Sequence, residues 1–227
     1  MGMPRTGHRK ILGTATALVG VILAVATVLL ATAWADDPSS ARDFGSPQPA
    51  MTPSVTGQPQ APAATPARPS SRATPSGVPL PRELSIPRLE LRAPIDPVGV
   101  AGDGQMQVPE DPDRVGWYRF SPRPGAGSGS SVIVGHIDAR ERGLGVLLGL
   151  TDVRTGDRVL VEKEDSTIAT YEIIARRTVP KNALAGSGVF TREGPAVLTL
   201  ITCAGPYLPD HGGYQNNLVV TAVEVPK

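Results

Sequence analysis

From about Leu84 to the carboxyl terminus the chain is a series of short apolar runs cut apart by Gly, Pro and Asp, and this texture limits the fold more than any other feature of its 227 residues. The runs lie at Leu84–Pro87, Leu91–Ile95, Gly116–Arg119, Ser131–His136, Arg158–Glu162, Ala169–Ala175, Ala196–Thr202 and Leu218–Val225. Each has the length of a strand, and apolar residues at helical spacing are scarce. The pattern therefore predicts an all-β barrel or sandwich rather than a layered α/β sheet. Gly143 to Leu150, ahead of the Thr155-Gly156-Asp157 turn, reads as a short helix in a loop. Thr170 to Ile173 alternates polar and apolar side chains, as a strand with one wet face does. Val132-Ile133-Val134 and Val197 to Ile201 are almost continuously apolar and are expected to be covered on both faces.

The amino-terminal third cannot join that core. Asp36 to Arg82 holds 11 of the chain's 24 prolines, with Ser, Thr, Ala, Gln and Gly around them and Phe44 as its only aromatic. Such a stretch has too little apolar surface to offset the entropy of ordering, so residues 36–82 are expected to form a disordered, semi-stiff tether ahead of a folded domain at 83–227. Before the tether, Ile11 to Ala35 is a run of 25 residues without a charged or amide side chain, preceded by Arg5, His8, Arg9 and Lys10. A helix of about 20 residues crosses a hydrocarbon core of roughly 30 Å, so this run is long enough to span. The basic cluster orients it with residues 1–10 in the cytoplasm and the folded domain outside the cell membrane, a single-pass arrangement. A signal-peptide core is usually about 7 to 15 residues. That length favours an uncleaved anchor over a signal peptide cut after Ala33-Trp34-Ala35.

Twenty-two basic against 21 acidic residues leave a formal net charge of +1, and aromatics are 4% of the chain. Neither a polyanionic partner such as nucleic acid nor a base-stacking platform fits those values. One cysteine, Cys203, follows the run Ala196 to Thr202. Exported chains usually pair their cysteines, which a single thiol cannot do internally, so Cys203 is either a small core hydrophobe or a nucleophile activated by a base. His136 ends another doubly apolar run, and an imidazole beside a thiol can take its proton or stabilise its thiolate. His8 lies before the membrane run, and His211, in the turn Pro209 to Gly213, reads as solvated. One cysteine with two usable histidines matches no zinc pattern, and no cofactor is expected.

Val134-Gly135-His136, then Leu198 to Cys203, then Tyr214 and Asn217 opening the last strand, resemble the sortase transpeptidases, most closely the class F enzymes of actinobacteria. The resemblance extends from about Leu84 to Lys227. It implies an eight-stranded β-barrel with short helices in its loops. It further implies that a cysteine attacks the threonyl carbonyl of an LPxTG-like sorting signal in an exported protein, and that a peptidoglycan precursor amine resolves the acyl-thioester. Carried onto this chain, Cys203 is the nucleophile and His136 the acid/base.

A third residue of the family, an arginine on the last strand, has no counterpart, because the chain reads Tyr214-Gln215-Asn216-Asn217 and contains no Arg after Cys203. Gln215 stands in its place and can donate only neutral hydrogen bonds, about half as strong as charge-assisted ones. Arg140 and Arg192 are alternative sources of the charge. Asp138 and Arg140 read as loop charges, one of them able to orient His136. Two rivals remain at this level: a hydrolytic cysteine protease, in which water resolves the thioester, and a non-catalytic wall-associated binding module on the same barrel.

Overall fold

In a computed structural model, residues 42–47, 77–139 and 142–226 are described. The stretch Ile11–Ala35, read as membrane-spanning, and the cytoplasmic tail before it lie outside those residues, as does most of the tether. No helix among the described residues is long and apolar enough to cross a membrane.

Among the described residues ten strands follow one another: β1 (Pro81–Ile86), β2 (Leu91–Val98), β3 (Val115–Tyr118), β4 (Ser130–Gly135), β5 (Asp138–Ala139), β6 (Gly143–Leu144), β7 (Arg158–Lys163), β8 (Ile168–Pro180), β9 (Val197–Leu208) and β10 (Gly213–Glu224). Eight of them close a barrel in the order β1-β2-β3-β4-β9-β10-β8-β7, and β5 pairs with β6 as a separate two-stranded ribbon. The eight apolar runs supply the eight barrel strands one for one. Neighbours are antiparallel except β2 with β3 and β4 with β9. Closure removes most of the free edge that is the usual liability of an open sheet.

Alternation along the strands sorts side chains into two apolar clusters. The larger fills the interior, with Leu84, Ile133, Tyr171, Leu198, Leu200, Leu218 and Val220 almost wholly buried. Each such Leu, Ile or Val stabilises the fold by about 1.5–3 kcal/mol relative to exposure. A smaller cluster, Val132, Val134, Val179, Ile201 and Val219, lies on the outer face of β4, β8, β9 and β10, joined by Val98 of β2 and Val189 of the β8–β9 connection. Leu184 and Phe190, from the β8–β9 connection, cover it, and Tyr118 meets Phe190 edge-on at 5.8 Å. This cover explains why β4 and β9 read as apolar on both faces.

Three local outcomes differ from the sequence. The helix expected over Gly143–Leu150 is a 3₁₀ helix at Val146–Asp152, because Gly143–Leu144 is taken by β6. Its Leu147 and Leu150 are fully buried, so it plugs the barrel rather than decorating a loop. The last two strands also run longer than the apolar runs, meeting in a hairpin closed by the 3₁₀ turn Pro209–His211.

The third difference concerns the tether. Residues 42–47 are not free chain: Phe44 and Arg176 exchange both main-chain hydrogen bonds at 2.9 Å. Asp43 accepts from the Thr178 amide at 2.8 Å, and the Phe44 ring packs against the interior cluster. The amino-terminal part of β8 pairs with β7, and beyond Glu172 that side of β8 is open. This short segment occupies it. Gly45 permits the approach, since at φ +73° an added Cβ would lie 1.9 Å from the Ile174 carbonyl oxygen.

Candidate active site

β4 and β9 run parallel in register from Ser130↔Val197 to Val134↔Ile201. One step further, the buried Thr202 hydroxyl donates to the Gly135 carbonyl at 2.9 Å, extending the match past the last paired residues. Continued one further step, the same register sets His136 level with Cys203. Adjacent strands are about 4.8 Å apart, and both residues lie two positions beyond Val134 and Ile201, so they share the outer face of the barrel with that pair. Two residues 67 positions apart in sequence thus follow directly on the ends of one parallel strand pair.

The surroundings hold each group. His136 is half-buried; its Nε2 donates to the Pro109 carbonyl at 2.8 Å, since a carbonyl can only accept, and this leaves Nδ1 with the free lone pair. The His136 carbonyl accepts from the Leu147 amide at 3.2 Å. Gly145 packs against it so closely that an added Cβ would come within 2.3 Å of that oxygen. Cys203 is unpaired and half-buried. Burial pushes its thiol above the ordinary cysteine range; the Lys181 ammonium draws it back and the Asp138 carboxylate pushes it up again. The site at rest therefore holds a neutral thiol with a cation and an anion nearby.

The β9–β10 hairpin closes one side. Tyr214 donates to the Asp138 carboxylate at 2.5 Å and stacks edge-on against Tyr207 at 5.0 Å. Burial, then its bond to Asp138, holds the Tyr214 phenol up to about 12, so it remains a donor throughout the physiological range. Asp138 was a candidate to orient His136; instead it fastens the hairpin to β5.

Gln215 lies between Tyr214 and Asn216 of β10, opposite a bulge in β9, where Gly205 and Pro206 stand against this single residue. Its amide donates to the His211 carbonyl at 3.1 Å and the Gly213 carbonyl at 2.6 Å, so both of its N–H donors serve the hairpin. His211 is exposed in that turn. Arg192 lies near the start of β4, where Ser130 donates to the Thr191 carbonyl. Cys203 is six residues beyond Val197, a strand rise of about 20 Å at roughly 3.3 Å per residue, which puts Arg192 out of reach. Arg140 lies outside the described residues. Asn217, buried, is the register partner of Cys203 on β10.

Sequence inspection missed Pro109 and Lys181, and read Tyr214 only as a motif residue without its bond to Asp138. None stands near Cys203 or His136 in a recognisable spacing, because each reaches the site through strand register. An open cavity of about 670 Å³ lies elsewhere, lined by Phe44, Arg88, Asp152 and Arg176 among others. Its lining includes neither histidine nor cysteine, so it offers none of this chemistry.

The sortase domain family matches residues 84–225 of the chain. Among solved structures the chain is similar to sortase C1 from Streptococcus agalactiae, at 22% identity over 64% of this chain and 67% of that one, with a TM-score of 0.48. It is also similar to sortase C-1 from Actinomyces oris (23%; 64% and 73%; TM-score 0.49) and to sortase A from Corynebacterium diphtheriae (23%; 66% and 62%; TM-score 0.48). No curated protein matches the chain.

Proposed function

This chain belongs to the sortase family, whose members are cysteine transpeptidases, and we propose that Cys203 is the nucleophile and His136 the acid/base with which it transfers exported proteins to a cell-wall amine. The observation that supports this assignment is the parallel β4–β9 register up to Val134 and Ile201, with the Thr202–Gly135 hydrogen bond one step on, which when continued sets His136 and Cys203 at a common level. Because burial keeps the thiol protonated, attack needs a base at hand. His136 Nδ1, the nitrogen not spent on Pro109, accepts that proton.

The sulfur then bonds to the threonyl carbonyl carbon of an LPxTG-like signal. The following peptide bond breaks, and the departing amine leaves with the proton from the imidazolium. A peptidoglycan precursor amine next attacks the thioester; the C–S bond breaks, an amide forms, and the amine's proton returns through His136 to the sulfur. Acyl transfer of this kind needs only the chain's own groups. The resemblance carried by Val134-Gly135-His136, Leu198 to Cys203 and Tyr214 to Asn217 favours a class F enzyme. Ile11–Ala35 anchors it in the membrane with the barrel outside, and 36–41 and 48–76 remain as tether. Gln215 serves the hairpin and not the reacting carbonyl.

The test uses the full-length protein in detergent and an LPxTG-like peptide carrying a chloromethyl ketone after the threonine. Intact mass is expected to show one adduct, on Cys203, and none in Cys203→Ala. A wild-type enzyme that stays unmodified would mean a non-catalytic module. With an ordinary peptide and an oligoglycine amine, a ligated product supports transfer, whereas free acid alone in the presence of amine reassigns the enzyme to hydrolysis.

A further inference from the structure

The outer face of the barrel carries a cation that the mechanism above does not use. β10 pairs on one side with β9 and on the other with β8, and near the site both registers are regular: Asn217 lies opposite Cys203 and Val179, and Val219 opposite Ile201 and Arg177. Residues opposite one another share a face. One row of outward side chains is thus Val179, Asn217, Cys203 and, by continuation, His136; the adjoining row is Arg177, Val219, Ile201 and Val134. Arg177 lies two strands across and one row below the thiol, about 12 Å away between Cβ atoms from a strand spacing of about 4.8 Å and a same-face step of about 6.6 Å.

Its neighbours on that face are apolar. Val219 is 1% exposed and Ile201 1% exposed. The Nε of Arg177 is buried and has no hydrogen-bond acceptor. Among the described residues, no carboxylate pairs with its guanidinium. A buried donor left unmet costs about 1–3 kcal/mol, and buried polar groups almost always find a partner, so a persistent exception calls for an acceptor that arrives from outside. An acyl-donor peptide seated beside Cys203 would supply such an acceptor, since each residue of an extended main chain carries a carbonyl as well as an N–H.

We propose that Arg177 is a substrate-contacting residue, whose guanidinium donates to a main-chain carbonyl of the peptide bound beside Cys203. This rests on the reading of Cys203 as the acylated nucleophile. The planar guanidinium offers Nε–H and Nη–H side by side, a fork that an ammonium does not reproduce. Arg177 therefore holds the peptide along β8 and β10 while His136 works from the β4 side, and the missing arginine of β10 is offset by one from the strand next to it.

The experiment compares wild type, Arg177→Met and Arg177→Lys, all full-length in detergent, by kcat and KM for peptide transfer, by the rate of Cys203 alkylation with iodoacetamide, and by thermal melting. Arg177→Met is expected to lower kcat/KM about tenfold or more, the loss typical of a charge-assisted hydrogen bond, mostly through KM, with alkylation rate and melting temperature nearly unchanged. Arg177→Lys recovers only part of it. A kcat/KM within twofold of wild type in Arg177→Met, or a loss matched by an equal fall in alkylation, overturns the proposal while leaving Cys203 in its role. Wild-type protein that forms no acyl adduct overturns the transferase reading and the Arg177 contact together.

Discussion

Arg176 and Arg177 are consecutive on β8 and live under opposite rules. Arg176 points to the barrel's inner side, where its guanidinium donates to the carbonyls of Arg42 at 2.6 Å, Val153 at 3.3 Å, and Thr151, while the Phe44 ring lies 5.1 Å below it. Burial pulls its affinity for a proton down, and Asp43 and Asp152 oppose that pull. Arg177, facing the thiol side, has a buried Nε with nothing to donate to. The same side chain is saturated where it joins the docked segment 42–46 to the 3₁₀ plug, and left open where a substrate is to lie. Beyond the valines and Ile201 that Leu184 and Phe190 cover, the Cys203 thiol and His136 Nδ1 are likewise unspent among the described residues. Closed donors mark the part of this molecule that must stay put, and unmet ones the part that waits for a ligand.

The steepest test of the open side is His136→Ala. General acid–base catalysis contributes about 10² to 10⁴ in rate, and a thiol held above its usual range by burial depends on it more than a preformed thiolate would. Transfer by His136→Ala is expected to fall within that range, and His211→Ala to stay near wild type, because His211 lies exposed in the hairpin turn. Steady-state rates on one peptide decide it, and equal losses at both positions would move the base to the hairpin.

The closed side answers to stability instead. Arg176→Met removes the donor from several carbonyls at once, and leaving buried acceptors unmet is expected to cost about 2–4 kcal/mol. Urea unfolding followed by tryptophan fluorescence measures it, Trp117 being buried in the core. Below the transition, transfer per folded molecule is expected to be unchanged. A variant as stable as wild type but slow would erase the contrast between the two faces of β8.

Much of this was legible from the sequence, and the limits have a common cause. The eight strands could be read because each apolar run is local, and Cys203 and His136 stood out because each ends a run that both faces bury. The two arginines could not be placed. Tyr171 and Ile173 point inward, and simple alternation from them would send Arg177 inward and Arg176 outward. The pairing shifts by one residue between Thr221 and Ala222 of β10, so β8 carries an extra residue there and the two arginines exchange faces. Docking of Phe44 was hidden for a similar reason: the open side of β8 exists only because β7 stops pairing at Glu172. Gln215 holds the family arginine's place in the motif, but opposite the β9 bulge at Gly205-Pro206 its amide bonds back into the hairpin. Strand parity is local; bulges and open edges are made by partners distant in sequence.

The smallest effect separates charge from contact on the open side. Lys181 follows Pro180, which pairs with Asn216 across from Ala204. Its ammonium lowers the Cys203 thiol's pKa, whereas Asp138, tied to Tyr214, raises it. Neutralising them should therefore act in opposite directions. Lys181→Met is expected to move the pH midpoint of Cys203 alkylation upward, so that less thiolate is present at neutral pH and alkylation there slows. Asp138→Asn should move the midpoint downward and speed it. Since the ammonium is solvent-exposed, screening keeps its shift small, and 0.5 M salt should shrink it further. Arg177, by contrast, should leave this midpoint in place while changing KM. If Lys181→Met left the midpoint untouched and Arg177→Met moved it, the nearer charge would be inert, and the guanidinium would be acting on the sulfur rather than on the peptide.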